Sequence, residues 1–124
     1  SSRQGIPAAV SYGACEMAQH LEAKAILTNT ECGGTARLIS RFRPRTPIVG
    51  VTSREDTWRR LSLSWGVFPL LIPPINDTDE MLRVVEAEAL KAGMLNHGDR
   101  VIITTGTPIG TRGSTNLIKA DVIS

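Results

Sequence analysis

Two periods of apolar residues alternate along the chain. From Pro7 to Glu22, apolar positions recur at Val10, Ala14, Met17, Ala18 and Leu21. That spacing marks one face of a helix, and Pro7 suits its first turn. Residues 25–28, 48–51, 66–71 and 100–105 are short runs that predict strands. The run Ile48–Val51 is nearly continuously apolar, as expected of a strand covered on both faces of a parallel sheet. Pro69 lacks an N–H for the ladder, so it places the third strand at an edge or makes it irregular. Between the strands, the pattern predicts a helix from about Thr35 to Arg43, stopping before Pro44. A third runs from about Glu55 through Trp58 and Leu61 to near Gly66, and a fourth from Asp77 through Met81, Leu82, Val85 and Ala89 to Gly93. Thr52 with Glu55, and Asp77 with Glu80, have the spacing of capping boxes. Residues 97–99 form a tight turn into the fourth strand. At the end of the chain Ile118, Ala120 and Val122 alternate with Lys119 and Asp121. This predicts a final strand with one drier face, and its charges suit a sheet edge.

A helix followed by β-α-β-α-β-α-β-loop-β predicts an α/β fold, a three-layer α/β/α sandwich formed by residues 1–124 as one domain. Growth outward from the first strand, then a return to its other side, gives a five-stranded, mostly parallel sheet in the order 3-2-1-4-5. No helix separates the last two strands, so the fifth is expected antiparallel to the fourth. Ligands of such sheets bind outside the C-terminal strand ends where the order reverses. The loops that meet there are residues 28–35 and 104–115.

Those loops have suggestive chemistry. The first, from Thr28 through Asn29, Thr30, Glu31, Cys32, Gly33 and Gly34 to Thr35, joins a strand to a helix. It aims backbone N–H groups and a helix dipole at one point, which favours an anion such as phosphate. Equally, Gly33 and Gly34 can simply make the bend and Thr35 cap the helix. The second loop carries Gly106, Gly110 and Gly113, the hydroxyls of Thr104, Thr105, Thr107, Thr111, Ser114 and Thr115, and one cation, Arg112. Together the two loops describe a phosphate cradle. Neither a P-loop nor a dinucleotide fingerprint is present. His20 and His97 read as surface residues, Cys32 as an inert turn cysteine, and Asp77, Asp79 and Glu80 as helix caps in place of metal ligands. Arg41, Arg43 and Arg45 read as a solvated edge at a helix C-terminus. No catalytic constellation emerges.

Composition narrows the classes without adding a site. The 124 residues are 41% apolar and 21% charged with a net charge of +2. That balance suits a globular domain and gives no basis for nucleic-acid or membrane partners. Aromatic residues make up only 4%, too few for a base-stacking surface. Cys15 and Cys32 have neither disulfide-scaffold nor zinc spacing, which favours a reducing cytoplasm. The sequence starts without Met, which suggests an excised fragment.

The stretch TARLISRFRPRTPIVGVTSREDTWRRLSLSWGVFPLL, with the ending HGDRVIITTGTPIGTRGSTNLIKADVIS, closely resembles the C-terminal domain of bacterial pyruvate kinases. SRFRPRTPIVGVT, WGVFPLL and GSTNLIK are its most specific parts, and the resemblance covers essentially the whole chain. It implies a regulatory and tetramer-forming module of an enzyme that transfers phosphate from phosphoenolpyruvate to ADP. The barrel domain that holds substrates, Mg²⁺ and K⁺ in that family lies outside this chain, so the chain alone is expected to be inactive and without a cofactor. The resemblance assigns a phosphorylated effector to Thr30, Glu31, Cys32, Gly33, Gly34 and Thr35, together with Arg112, Gly113, Ser114 and Thr115. It also assigns a subunit contact to the last strand with the first two helices. Relatives read Thr-x-Ser-Gly-Lys/Arg-Ser in the turn, whereas here Cys32 replaces a hydroxyl and Gly34 a basic residue. The region around Met81 lacks the Arg that holds a second phosphate. AMP or a sugar monophosphate such as ribose 5-phosphate is therefore expected in preference to fructose 1,6-bisphosphate. The alternatives are a stand-alone phosphate-binding regulator of the same fold and a purely structural oligomerisation module.

Overall fold

A computed structural model describes residues 5–106 and 115–124. The element order is α1 (Ile6–His20), β1 (Ala25–Asn29), α2 (Gly34–Arg41), β2 (Ile48–Thr52), α3 (Glu55–Leu61), β3 (Val67–Leu71), α4 (Thr78–Lys91), β4 (Arg100–Gly106) and β5 (Thr115–Val122). The five strands form one sheet in the order β3-β2-β1-β4-β5. All neighbours are parallel except β4 and β5, which are antiparallel, as the missing crossover helix requires. The predicted α/β class, strand order and antiparallel last strand are thus observed.

The alternation of side chains along each strand divides the interior in two. On one face Leu27, Val49, Val51, Val101 and Ile103 pack against Met81, Leu82, Val85 and Ala89 of α4. On the other, Ile26, Ile48 and Ile102 pack against Ala14 and Ala18 of α1, Ala36 and Ile39 of α2, and Leu61 at the end of α3. Each fully buried Ile or Leu contributes about 1.5–3 kcal/mol of transfer free energy. The central strands β1, β2 and β4 are apolar on both faces because helices cover both. Gly50 suits the tight packing of β2, since a Cβ there would stand 3.1 Å from both Leu61 Cδ atoms and 3.2 Å from Val67 Cγ1, and these side chains would have to give way.

Several local expectations change. The first helix ends at His20, and Glu22 turns the chain with φ +53°. The second opens at Gly34, one residue before the predicted start, because Gly33 (φ +87°) is its cap. Thr35 therefore lies inside the helix and does not cap it. The Thr52–Glu55 capping box does not form. Thr52 Oγ1 accepts from Arg54 N at 3.2 Å in a local turn, and Arg54 precedes α3 without a side-chain cap. That helix stops at Leu61 and does not run on to Gly66, which turns into β3 with φ +70°. The second predicted cap is present, with Asp77 Oδ2 accepting from Glu80 N at 2.9 Å. Pro69 sits on the edge strand β3 opposite Gly50. On β5, the supposed drier face is only partly covered. Ile118 packs towards α1, whereas Ala120 is exposed and Val122 is 51% exposed.

Candidate functional site

The sheet order reverses between β1 and β4, and polar residues fill their C-terminal ends. Thr28 and Thr104 stand opposite each other in register, both fully buried, and Thr104 Oγ1 donates to Thr28 Oγ1 at 2.8 Å. One step outward, Asn29 Nδ2 donates to Thr105 Oγ1 at 3.4 Å. Threonine suits both demands of this place: its branched Cβ fits a strand, and its hydroxyl finds a partner across the ladder.

Beyond Asn29 the chain turns into α2. Thr30 N donates to Val51 O at 2.8 Å, which continues the β2 ladder by one bond. Thr30 Oγ1 then accepts from Gly33 N at 2.9 Å. Thr57 of α3 ties the turn down from the side, its hydroxyl donating to Glu31 O at 2.7 Å. Gly33 reaches the left-handed region that ends the turn, at a cost a side chain would raise by about 1–2 kcal/mol. The first turn of α2 contains no acidic residue, so its dipole is uncompensated there.

Of the residues assigned from sequence, the turn brings Thr30, Glu31, Cys32, Gly33, Gly34 and Thr35 together. Thr115, at the start of β5, reaches the same turn, with Thr35 Oγ1 and Thr115 Oγ1 2.6 Å apart. The predicted meeting of the two loops is thus realised by one hydroxyl pair 80 residues apart in sequence. Arg112, Gly113 and Ser114 lie outside the described residues. Thr104, Thr105 and Gly106 belong to β4 itself and not to a loop.

Sequence reading missed Arg37. Its side chain folds back over the turn, where Nη1 donates to Cys32 O at 3.5 Å. A Cβ at Gly33 would lie 3.1 Å from Nη1, so the guanidinium rests directly over this glycine. Its position at i+4 from Gly33 was the available signal. Arg37 has no carboxylate partner among the described residues. Arg54, by contrast, is committed to Asp56 through two hydrogen bonds at 3.0 and 3.2 Å. That contact holds the Asp56 carboxyl below its usual range and raises the Arg54 guanidinium.

Elsewhere the polar groups have local explanations. His20 is exposed, and His97 Nδ1 lies 2.6 Å from Ser124 O. Arg41, Arg43 and Arg45 are exposed, with Arg43 stacked on Trp65 at 4.8 Å. Cys15 and Cys32 are both free thiols. Burial, with the Glu16 charge adding to it, pushes the Cys15 thiol up to about 11. Between α4 and β5, Glu86 meets Asp121, itself 3.4 Å from Lys119 Nζ. Burial and the Asp121 carboxylate push Glu86 up to about 7, while the same hydrogen bond lowers Asp121. Among the described residues no group of three or more His, Cys, Asp or Glu side chains is placed to hold a metal ion. Among the same residues no helix is long and apolar enough to cross a membrane.

Comparison with known proteins agrees with this architecture. Residues 8–120 match the family described as pyruvate kinase, alpha/beta domain. The pyruvate kinase of Geobacillus stearothermophilus is 44% identical over 123 residues, covering 99% of this chain and 21% of that protein. Pyruvate kinase 2 of Synechocystis is 42% identical over 123 residues, again 99% of this chain and 21% of the relative. The pyruvate kinase of Clostridium acetobutylicum is 40% identical over 114 residues, 92% of this chain and 24% of the relative. The chain therefore spans about a fifth to a quarter of the length of these relatives. With a family match from residue 8 to residue 120 on a sheet ordered 3-2-1-4-5, the chain belongs to the pyruvate kinase alpha/beta-domain family.

Proposed function

We propose that this chain is the regulatory domain of a pyruvate kinase, binding a phosphorylated effector at residues 30–35 and 112–115 and contributing a subunit contact to a tetramer. The larger enzyme transfers a phosphoryl group from phosphoenolpyruvate to ADP, using substrates, Mg²⁺ and K⁺ held by a barrel domain beyond this chain. The domain itself is assigned no catalytic step, and the whole protein is placed in the cytoplasm.

One observation carries the effector reading. The glycine-capped turn after β1 and the start of β5 converge at the point where the sheet order reverses, joined by the Thr35–Thr115 hydroxyl pair. Main-chain N–H groups at the opening of α2 and hydroxyls from two loops suit a phosphate dianion. The turn offers one anion subsite, which favours AMP or a sugar monophosphate over fructose 1,6-bisphosphate. The test is calorimetric titration of the chain with AMP, ribose 5-phosphate, fructose 1,6-bisphosphate and inorganic phosphate. Saturable binding of a monophosphate, weakened in Arg112→Ala, is the expected result. An Arg112→Ala variant with unchanged affinity removes the second loop from the cradle.

The reading as an assembly module draws on β5, where Val122 and Ala120 leave an apolar strip uncovered on the sheet's edge strand. Sedimentation of the titrated samples separates it: self-association without any phosphate binding leaves only the assembly role.

A further inference from the structure

Among the described residues α4 is the one helix on its face of the sheet, and its cover ends beside the edge strand β5. A cleft of about 450 Å³ remains between the two, with Leu82, Glu86 and Leu90 on the α4 side and Lys119, Asp121 and Ile123 on the β5 side. Ile123 is buried in the core at one end. Across the cleft itself, helix and strand meet through two half-buried carboxyl groups, Glu86 hydrogen-bonded to Asp121. Such a bond needs a proton between them, because an ionised carboxylate is an acceptor only. The surroundings decide which group carries it. Asp121 Oδ1 accepts from Val122 N at 2.9 Å, and its Oδ2 stands 3.4 Å from Lys119 Nζ, so both oxygens are supported as a carboxylate. Glu86 is partly desolvated and faces that carboxylate, with Lys119 the one cation acting against them. Glu86 is therefore the donor. The other charged side chains lining the cleft, Asp79 and Arg83, both lie nearer the N-terminus of α4 and are opposite in sign.

We infer that Glu86 and Asp121 form a proton-operated latch that ties the edge strand β5 to α4, closed by one shared proton and opened when that proton leaves. Without the proton two carboxylates face each other across the cleft, so attraction becomes repulsion and each gains by separating into water. The strand that answers is β5, because an edge strand is paired on one side only and weakly held elements open first. The latch works near neutrality, since burial and Asp121 hold Glu86 at about 7 against an ordinary 4.5. The closed form binds the proton more tightly than the open one, so closure is favoured below about pH 7 and fades above it. Between pH 6 and 8 those two values change the ratio of closed to open by about tenfold. The same strand begins at Thr115, whose hydroxyl meets Thr35, and carries the uncovered Ala120 and Val122. The latch thus acts on the element to which both proposed roles of the domain attach, and it depends on neither.

The test is amide hydrogen exchange at pH 6, 7 and 8, read by mass spectrometry on segments covering β5 and α2 and corrected for the intrinsic rise of exchange with pH. In the unchanged chain, protection over residues 117–122 is expected to fall by about tenfold from pH 6 to 8, with α2 changing by less than about twofold. Glu86→Gln keeps a donor to Asp121 that carries no titrating proton, so its β5 protection should stay flat. Asp121→Asn offers Glu86 an amide donor in place of a carboxylate and should shrink the fall to about twofold. Thermal melts at pH 6 verify that both variants are folded. Flat β5 protection in the unchanged chain overturns the latch, even where the melting temperature still falls with pH, because the proton then acts only on global unfolding. A fall undiminished in either variant overturns it too, since the pair is then not its source. An equal fall in α2 makes the effect one of the whole fold and has the same consequence.

Discussion

The hydroxyl pair beneath the effector turn gives a sharp quantitative prediction. Thr28 and Thr104 are both fully buried, and their 2.8 Å bond lies between the two central strands. Replacing either by Val keeps the branched shape but strands the other hydroxyl in a dry place. A buried polar group without its partner costs about 1–3 kcal/mol, whereas exchanging both partners for apolar groups of the same shape is nearly neutral. Thr28→Val and Thr104→Val are therefore each expected to lose about 1–3 kcal/mol. The double variant should lose about 1 kcal/mol or less, since two methyl groups then meet where two hydroxyls did. The coupling energy from the double-mutant cycle is accordingly at least about 1 kcal/mol in favour of the pair, and about 3 kcal/mol if each single variant loses about 2. Urea unfolding followed by circular dichroism measures it, with an unchanged m-value verifying that the unfolded reference is the same. Additive losses in the double variant would refute the reasoning, since the two hydroxyls would then be satisfied independently of each other.

Two further perturbations follow from particular residues. Gly33→Ala places a Cβ on a backbone held at φ +87°, so a stability loss of about 1–2 kcal/mol is expected. Urea unfolding reads it, and a variant as stable as the original would show that the cap tolerates a side chain. The Glu86 carboxyl is held near 7 in the folded protein and lies in the ordinary range when unfolded, so the folded state binds more protons between about pH 4.5 and 7. Its contribution is complete below about pH 4.5 and is lost as pH rises through 7, while the lowered Asp121 loses its own contribution only as pH falls below its usual range. Melting temperature should fall from pH 5 to pH 8 in the unchanged protein and stay flat over that span in Glu86→Gln; parallel curves would remove Glu86 as the cause.

Local features of the chain carried much of this structure, and they did so where a residue's environment is implied by its neighbours in sequence. The near-continuous apolar runs at β1, β2 and β4 can be satisfied only by cover on both faces, which implies helices on both sides and, with them, the strand order. Asp77 caps α4 because the bond it makes spans three residues and needs nothing from elsewhere. The same spacing failed at Thr52, whose position as the last residue of β2 turns its hydroxyl to the adjacent Arg54 amide instead of a helix end. Helix ends at Leu61 and His20 were likewise set by the turns into β3 and β1, where Gly66 and Glu22 take positive φ.

The sequence by itself determined the fold class, the order of the sheet and the turn at which an anion is expected, because periodicity and glycine placement are local properties of a chain. Tertiary structure alone decided which polar groups meet. Thr35 reaches Thr115 across 80 residues, Thr57 of α3 fastens Glu31, and Arg37 folds back over Gly33. An exposed arginine on a polar helix face has the same sequence signature whether it points into water or folds back over a turn. What distinguishes the two is the structure packed alongside, and its distance is fixed by the whole core.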